Sequence, residues 1–363
     1  MLSTFAKKKK PVAHLFGALL CLGVCGGLLA PDASAATSEP DHGQGHSPVI
    51  PQTLDGTTIV PTVSSDGEKH VTLTASIVPQ QLLNADGKTV TARAYGYNGS
   101  SPGPTVVFYE GDQAAITVVN NLPEPTTMHF HGVILPNSQD GVPAVGEPTP
   151  IIQPGQSYTY RFRVLQVGTH MYHAHLDAAK QDMLGSAGGL IFLPKRDDSG
   201  VTADYVYFLH EWALPQTLKP EQINNLPRTG SPTDTVNSVD AMPMWASNMQ
   251  NFFSMNGKCY PSTTAIRTRL GDRIRVRFFN VALTAHPIHL HGQDFEHTEQ
   301  DGNEIKKPLK LNTLVVAPGT TQAFELDAIN PGIWPLHCHI AHHAANNLSS
   351  GFGGMATQVI ISP

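Results

Sequence analysis

The feature that most constrains this 363-residue chain is a spacing that occurs twice. Gly111-Asp112 opens a strand-like run and leads to His129-Phe130-His131-Gly132; Gly271-Asp272 does the same before His289-Leu290-His291-Gly292. From glycine to first histidine is 18 residues in both cases. Pro154-Gly155 and Pro318-Gly319 each place their glycine 18 residues ahead of a further pair, His173-Ala174-His175 and His337-Cys338-His339. Each half then closes on an apolar run, Leu190–Leu193 and Gln358–Ile361. Such a repeat means two domains of similar fold, joined near residues 195–202.

The domains read as all-β. Residues 158–164 (Tyr-Thr-Tyr-Arg-Phe-Arg-Val) and 273–278 (Arg-Ile-Arg-Val-Arg-Phe) alternate strictly, which predicts half-buried antiparallel strands. Turn pairs recur at Asp86-Gly87, Asn98-Gly99, Asp140-Gly141, Asn256-Gly257 and Asp301-Gly302. With 32 glycines and 29 prolines, long helices are disfavoured and β-sandwiches expected. Charged residues are only 14% of the chain and the net charge is −6, without a basic stripe. That argues against a nucleic-acid partner.

Residues 1–35 read as a Sec-type export signal: Lys7 to Lys10 are basic, His14 to Ala30 is largely apolar, and Ala33-Ser34-Ala35 is a small-x-small cleavage site. The apolar run is short for a membrane span and interrupted by glycines. A periplasmic or extracellular location follows, with no membrane attachment after cleavage. Residues 36–70, rich in Ser, Thr, Pro and Gly, read as a flexible arm, with domain 1 over 71–196 and domain 2 over 203–363. Cleavage would leave two cysteines, Cys259 and Cys338. A bridge between them is the plain structural alternative.

An H-x-H pair on a strand puts both imidazoles on one face. One such pair is commonly a surface accident; four at repeated positions imply a multinuclear metal site. The last pair says most. His337-Cys338-His339 with His343 close behind offers a thiolate and imidazoles together, a set that suits copper in an electron-transfer site when a weak axial sulfur completes it. Zinc competes for Cys/His sets but has no redox chemistry and does not account for the remaining histidines.

The four segments around these pairs, including His286-Pro287-Ile288-His289 and His337 to His343, resemble the four copper-binding motifs of multicopper oxidases, in particular the two-domain, small laccase-like kind. The resemblance covers roughly residues 70 to 363. It implies two cupredoxin-like Greek-key β-sandwich domains and four coppers per functional unit. His286, Cys338 and His343 would hold the type 1 ion, His129 and His289 the type 2 ion. His131, His173, His175, His291, His337 and His339 would hold the type 3 pair. Domain 1 has Ala174 where domain 2 has Cys338, so only domain 2 carries a type 1 site.

By the same resemblance the partners are O2 and a small-molecule reducing substrate, a phenol or aromatic amine, approaching the exposed edge of a type 1 histidine. Each domain supplies two of the four H-x-H pairs, and two-domain relatives assemble as homotrimers with the cluster between neighbouring chains. The axial type 1 position has two candidates, Met355 and Leu348. Asp140 reads either as a catalytic proton relay near the type 2 copper or as a plain Asp-Gly turn. Met242, Met244, Met249 and Met255 form a loose cluster that fits either packing or a Cu(I) site, which keeps metal-ion oxidation, Cu(I) or Mn(II), as a second reading. A copper-storage or electron-carrier protein is the third. His70, His170, His210 and His297 have no partner spacing and read as solvent or core residues. His342 has no assigned role.

Overall fold

The computed structural model describes residues 46–83, 89–212, 252–346 and 351–363. Two β-sandwiches account for most of them. In the first, β3 (Lys69–Leu83), β4 (Thr89–Tyr97), β6 (Gln113–Asn120) and β8 (Ser157–Arg163) form a sheet in the order β4-β3-β6-β8. Its partner sheet runs β2 (Thr58–Ile59), β5 (Gly103–Tyr109), β10 (Ala187–Leu193), β9 (Gly168–His173), β7 (His129–His131). Alternate residues of both sheets, among them Leu73, Ile116, Tyr160, Phe162, Phe108, Phe130, Tyr172 and Phe192, meet in one buried core.

The second sandwich repeats the plan. One sheet runs β11 (Ala203–Trp212), β14 (Arg273–Asn280), β19 (Thr321–Asp327), β16 (Phe295–Gln300), β17 (Asn303–Leu311), with β12 (Phe252–Met255) also on β11. The other runs β13 (Ile266–Arg269), β21 (Ala356–Ser362), β20 (Gly332–Cys338), β15 (His286–Leu290), β18 (Thr313–Val316). The duplication seen in the spacing recurs in the pairing. The pair β3 and β6 is parallel, as is β11 and β14; β5 and β10 match β13 and β21; antiparallel β7 and β9 match β15 and β20.

Three details depart from the sequence reading. First, the turn pairs differ among themselves. Asn98-Gly99, Asn256-Gly257 and Asp301-Gly302 have positive φ at both positions, as tight turns between strands require. At Asp140-Gly141 only the glycine does, and a Cβ there would lie 1.9 Å from the Met128 carbonyl oxygen. Asp86-Gly87 lies outside the described residues.

Second, residues 46–59, read from composition as part of a flexible arm, are tied to both sandwiches. A short strand β1 (Gln52–Thr53) runs parallel to β11 of the second, while β2 runs parallel to β5 of the first. Between them Asp55 accepts from Thr264 N (2.7 Å), Thr264 Oγ1 (2.6 Å) and Lys258 Nζ (3.0 Å). Composition could not show this, because backbone pairing and one carboxylate do the holding.

Third, β14 is antiparallel only to β19, and its second face is covered rather than solvated. The two sandwiches pack there: Val107, Met171, Ile191 and Leu193 meet Val206, Phe208 and Phe279, the last two stacked at 4.5 Å. Burying a phenylalanine contributes ~1.5–3 kcal/mol, so this seam is a substantial joint. Arg277, expected on a wet face, is only 3% exposed. Its guanidinium donates to Asp204 at 2.9–3.0 Å, to Thr169 Oγ1 at 2.5 Å and to Glu299 at 3.3 Å. Thr169 N donates to Glu299 Oε1 at 2.8 Å, which joins β9 of the first sandwich to the second.

Candidate metal centre

The strand pairing decides which histidines meet. Antiparallel β7 and β9 put His129 opposite His173, and β15 and β20 put His289 opposite His337. In domain 1 the rings of His129, His131, His173 and His175 lie 5.1–5.8 Å apart in five pairwise contacts. In domain 2 the rings of His289, His291, His337 and His339 lie 4.7–5.8 Å apart in the matching five. Among the described residues, no ring contact or hydrogen bond joins a histidine of one set to the other set.

Backbone carbonyls fix the rings in the same way in both halves. His129 Nδ1 lies 2.8 Å from the Asp140 carbonyl, and His289 Nδ1 lies 2.8 Å from that of Asn312. His173 Nδ1 lies 2.9 Å from the Ala174 carbonyl, and His337 Nδ1 lies 2.8 Å from that of Cys338. An Nδ1–H donated to a carbonyl leaves Nε2 bare for a metal. The domain 1 set lines a cavity of ≈ 250 Å³ with Met171, Asp182, Val281, Ala282 and Gly319. In domain 2, His289 and His291 open on a recess of ≈ 660 Å³ with Lys310, Asn312, Ile329 and Asn330.

A third set is buried in domain 2. His286 begins β15, Cys338 ends β20, and His343 sits in the short helix α2 (Ala341–Ala345). Cys338 Sγ is 3.8 Å from His286 Nδ1 and 3.7 Å from His343 Nδ1, and the two nitrogens are 3.2 Å apart. Three soft or borderline donors so close, all buried, fit one copper ion. Burial pushes the His286 pKa down to about 3, helped by His343, and the His343 pKa down to about 4, helped by His342. Burial raises the Cys338 thiol to about 12. The imidazoles are therefore ready as neutral ligands, while a metal must displace the thiol proton. Cys259 and Cys338 are each free and buried, so the Cys259–Cys338 bridge does not form.

The remaining sequence candidates fall as follows. Met355 is fully buried, and its backbone bonds to both Cys338 (2.9 Å) and His343 (3.0 Å). Leu348, Met242, Met244 and Met249 lie outside the described residues, and Met255 is a core side chain of domain 2. The Asp140 carboxylate stands 3.5 Å from His129 Nδ1. Neither imidazole of this set exposes an edge, since His286 is 0% and His343 3% accessible. The exposed ring in contact with this set is His342, 4.3 Å from His343.

Two carboxylates had no sequence signal. Asp182 Oδ2 lies 2.9 Å from His173 Nδ1; burial alone would lower the pKa of His173, but Asp182 overrides it and the net shift is upward. Glu211 lies 3.5 Å from His286 Nε2. Neither follows a ligand at a recognisable interval, and only folding brings them in.

Comparison with known proteins agrees with this geometry. Models of multicopper oxidase domains match residues 78–197 and 233–357, and the chain belongs to the multicopper oxidase family. It is 30% identical over 275 residues to copper resistance protein A of Pseudomonas syringae pv. tomato, covering 67% of this chain and 44% of that one. It is 28% identical over 286 residues to a multicopper oxidase of Mycobacterium tuberculosis, covering 73% and 53%. The chain thus spans about half the length of the curated relatives it matches. Among solved structures, the blue copper oxidase from Nitrosomonas europaea superposes with a TM-score of 0.64 at 28% identity, covering 80% of this chain and 85% of that one. Both sandwiches are cupredoxin-like. No helix among the described residues is long and apolar enough to cross a membrane.

Proposed function

We propose that the chain is a laccase-like multicopper oxidase that couples one-electron oxidation of phenols or aromatic amines to reduction of O2 to water. The observation that carries this reading is the placement of Cys338. Its sulfur belongs to the buried type 1 set, while its neighbours His337 and His339 belong to the four-histidine set. Copper bound at these sets would supply one-electron acceptance at one end and four-electron reduction of O2 at the other. The protein's part is to join the two by a short covalent route, to hold neutral imidazoles in fixed tautomers, and to keep water from the type 1 donors. Asp140 sits against His129 with its carboxylate partly open, a position from which it would pass protons toward the type 2 site. Met355, bonded through its backbone to both neighbouring ligands, is our choice for the axial ligand.

Among the described residues the two four-histidine sets share no ring contact or hydrogen bond, which supports assembly into a homotrimer with each cluster completed by a neighbour. Exposed aliphatic side chains occur close to both sets in sequence, Ile134 and Val145 in domain 1, and Val315, Ile329 and Ile333 in domain 2. Isolated exposed aliphatics are ordinary; here they lie near the two half-sites that must be covered. Export by cleavage after residue 35 completes the proposal; those residues lie outside the described ones.

The test is a copper count and spectrum on the loaded protein, followed by oxygen uptake. Four coppers per chain, a blue type 1 absorption and uptake with a phenolic dye that Cys338→Ser abolishes would support it. Fewer than four coppers in well-loaded protein, or none of the uptake, would overturn it. Cu(I) oxidation far exceeding that of any phenol would move the assignment to a metal-ion oxidase. Sedimentation of the active protein as a monomer would sink the trimer.

A further inference from the structure

Beside the type 1 set lies an unexplained pair of buried polar groups. His286 Nε2 has no hydrogen-bond partner among the described residues, and neither has Glu211 Oε2. The other carboxyl oxygen, Glu211 Oε1, stands 3.5 Å from His286 Nε2, with both side chains 0% exposed. Glu211 is the penultimate residue of β11. It also accepts from the Thr284 hydroxyl, and the backbone N–H groups of Leu283 and Thr284 bear on it. It thus holds the loop that delivers His286. Every group reaching this carboxyl is a donor, so its role is that of acceptor.

His286 needs such an acceptor. Its Nδ1 faces Cys338 and His343 and must be bare to bind a metal, which leaves the proton on Nε2. A buried N–H without an acceptor is costly, and metal-binding histidines ordinarily donate that proton to a carbonyl or carboxylate. Histidines of both trinuclear half-sets use backbone carbonyls for this purpose. Here the group in that place is a carboxyl, as Asp182 also is at His173.

We propose that Glu211 is the positioning residue of the type 1 site: it accepts the Nε2–H of His286 and makes that imidazole a stronger donor, favouring the oxidised metal. The consequence is a lower type 1 reduction potential than a neutral acceptor would set. The inference rests on the reading of this set as a type 1 copper centre.

The experiment compares copper-loaded wild type, Glu211→Gln and Glu211→Leu by redox titration of the blue absorption. Glu211→Gln keeps an oxygen that can accept both from His286 and from the 283–284 loop but removes the charge, so the midpoint potential rises. Glu211→Leu removes the acceptor as well; the potential rises further, and type 1 copper is retained about 10-fold less tightly against a chelator. Copper content at the other three positions stays unchanged in both. An unchanged midpoint potential in Glu211→Gln overturns the proposal, even if stability falls, because a loop anchor alone would not tune the metal. If Glu211→Leu does not fold, the Glu211→Gln comparison decides by itself. Absence of a blue type 1 signal in the wild type would instead refute the copper reading beneath it.

Discussion

Replacing Arg277 tests how much the buried ion pair it forms with Asp204, within the second sandwich at the seam with the first, contributes to stability. Its guanidinium spends three hydrogen bonds on Asp204, which is 0% exposed, and reaches Thr169 and Glu299 with the rest. Arg277→Met keeps the volume of the stem but strands Asp204. Breaking a buried pair from one side costs about 3–5 kcal/mol. Arg275 Nη1, 3.6 Å from Asp204, offers partial compensation and places the expected loss near the lower end, about 3 kcal/mol. The double variant Asp204→Asn with Arg277→Met removes the stranded charge and recovers most of that loss. Urea unfolding of copper-free protein, followed by the fluorescence of tryptophans that include buried Trp212, reads both values. A cost below about 1 kcal/mol for Arg277→Met, or no recovery in the double variant, would refute the assigned weight of this buried pair.

Other outcomes follow from the same geometry. Gly141→Ala forces a side chain against the Met128 carbonyl at a φ of +90°, so it shifts the turn that holds His129 and destabilises the protein by about 2 kcal/mol or more; type 2 copper measured by EPR should fall with it. Cys338→Ser leaves the eight-histidine ligand set in place, so it should lose the blue absorption while keeping three coppers. Loading the type 1 set releases one proton from Cys338, whose thiol sits at about 12, while His286 and His343 are already neutral above about pH 4. Apparent copper affinity should therefore rise about tenfold per pH unit between roughly pH 5 and 9, measured by chelator competition; a flat profile contradicts this.

The grouping of the histidines was legible in the sequence because strand periodicity puts alternate residues on one face and the duplication repeats that pattern. His129 opposite His173 needs nothing but β-pairing, and so does His289 opposite His337. Residues that act across the fold were not legible. Asp182 reaches His173 from beyond a four-residue helix, α1 (Ala178–Gln181), and Glu211 reaches His286 from a strand 75 positions earlier. Arg277 obeys the alternation that predicts a solvated side chain, yet a second domain covers that face. Periodicity reports which residues share a face, not what the face meets.

The strap over residues 52–59 has a consequence for assembly. One short segment pairs with a strand of each sandwich, and its Asp55 accepts from Thr264 and Lys258 of the second. In the proposed ring, every chain offers a different face at each end, so the angle between its domains sets whether successive copies close after three or run on. A loosened strap would leave each half-site chemically intact and still change the number of subunits in the circle. The geometry of closure is thus written partly in residues that touch no metal ligand.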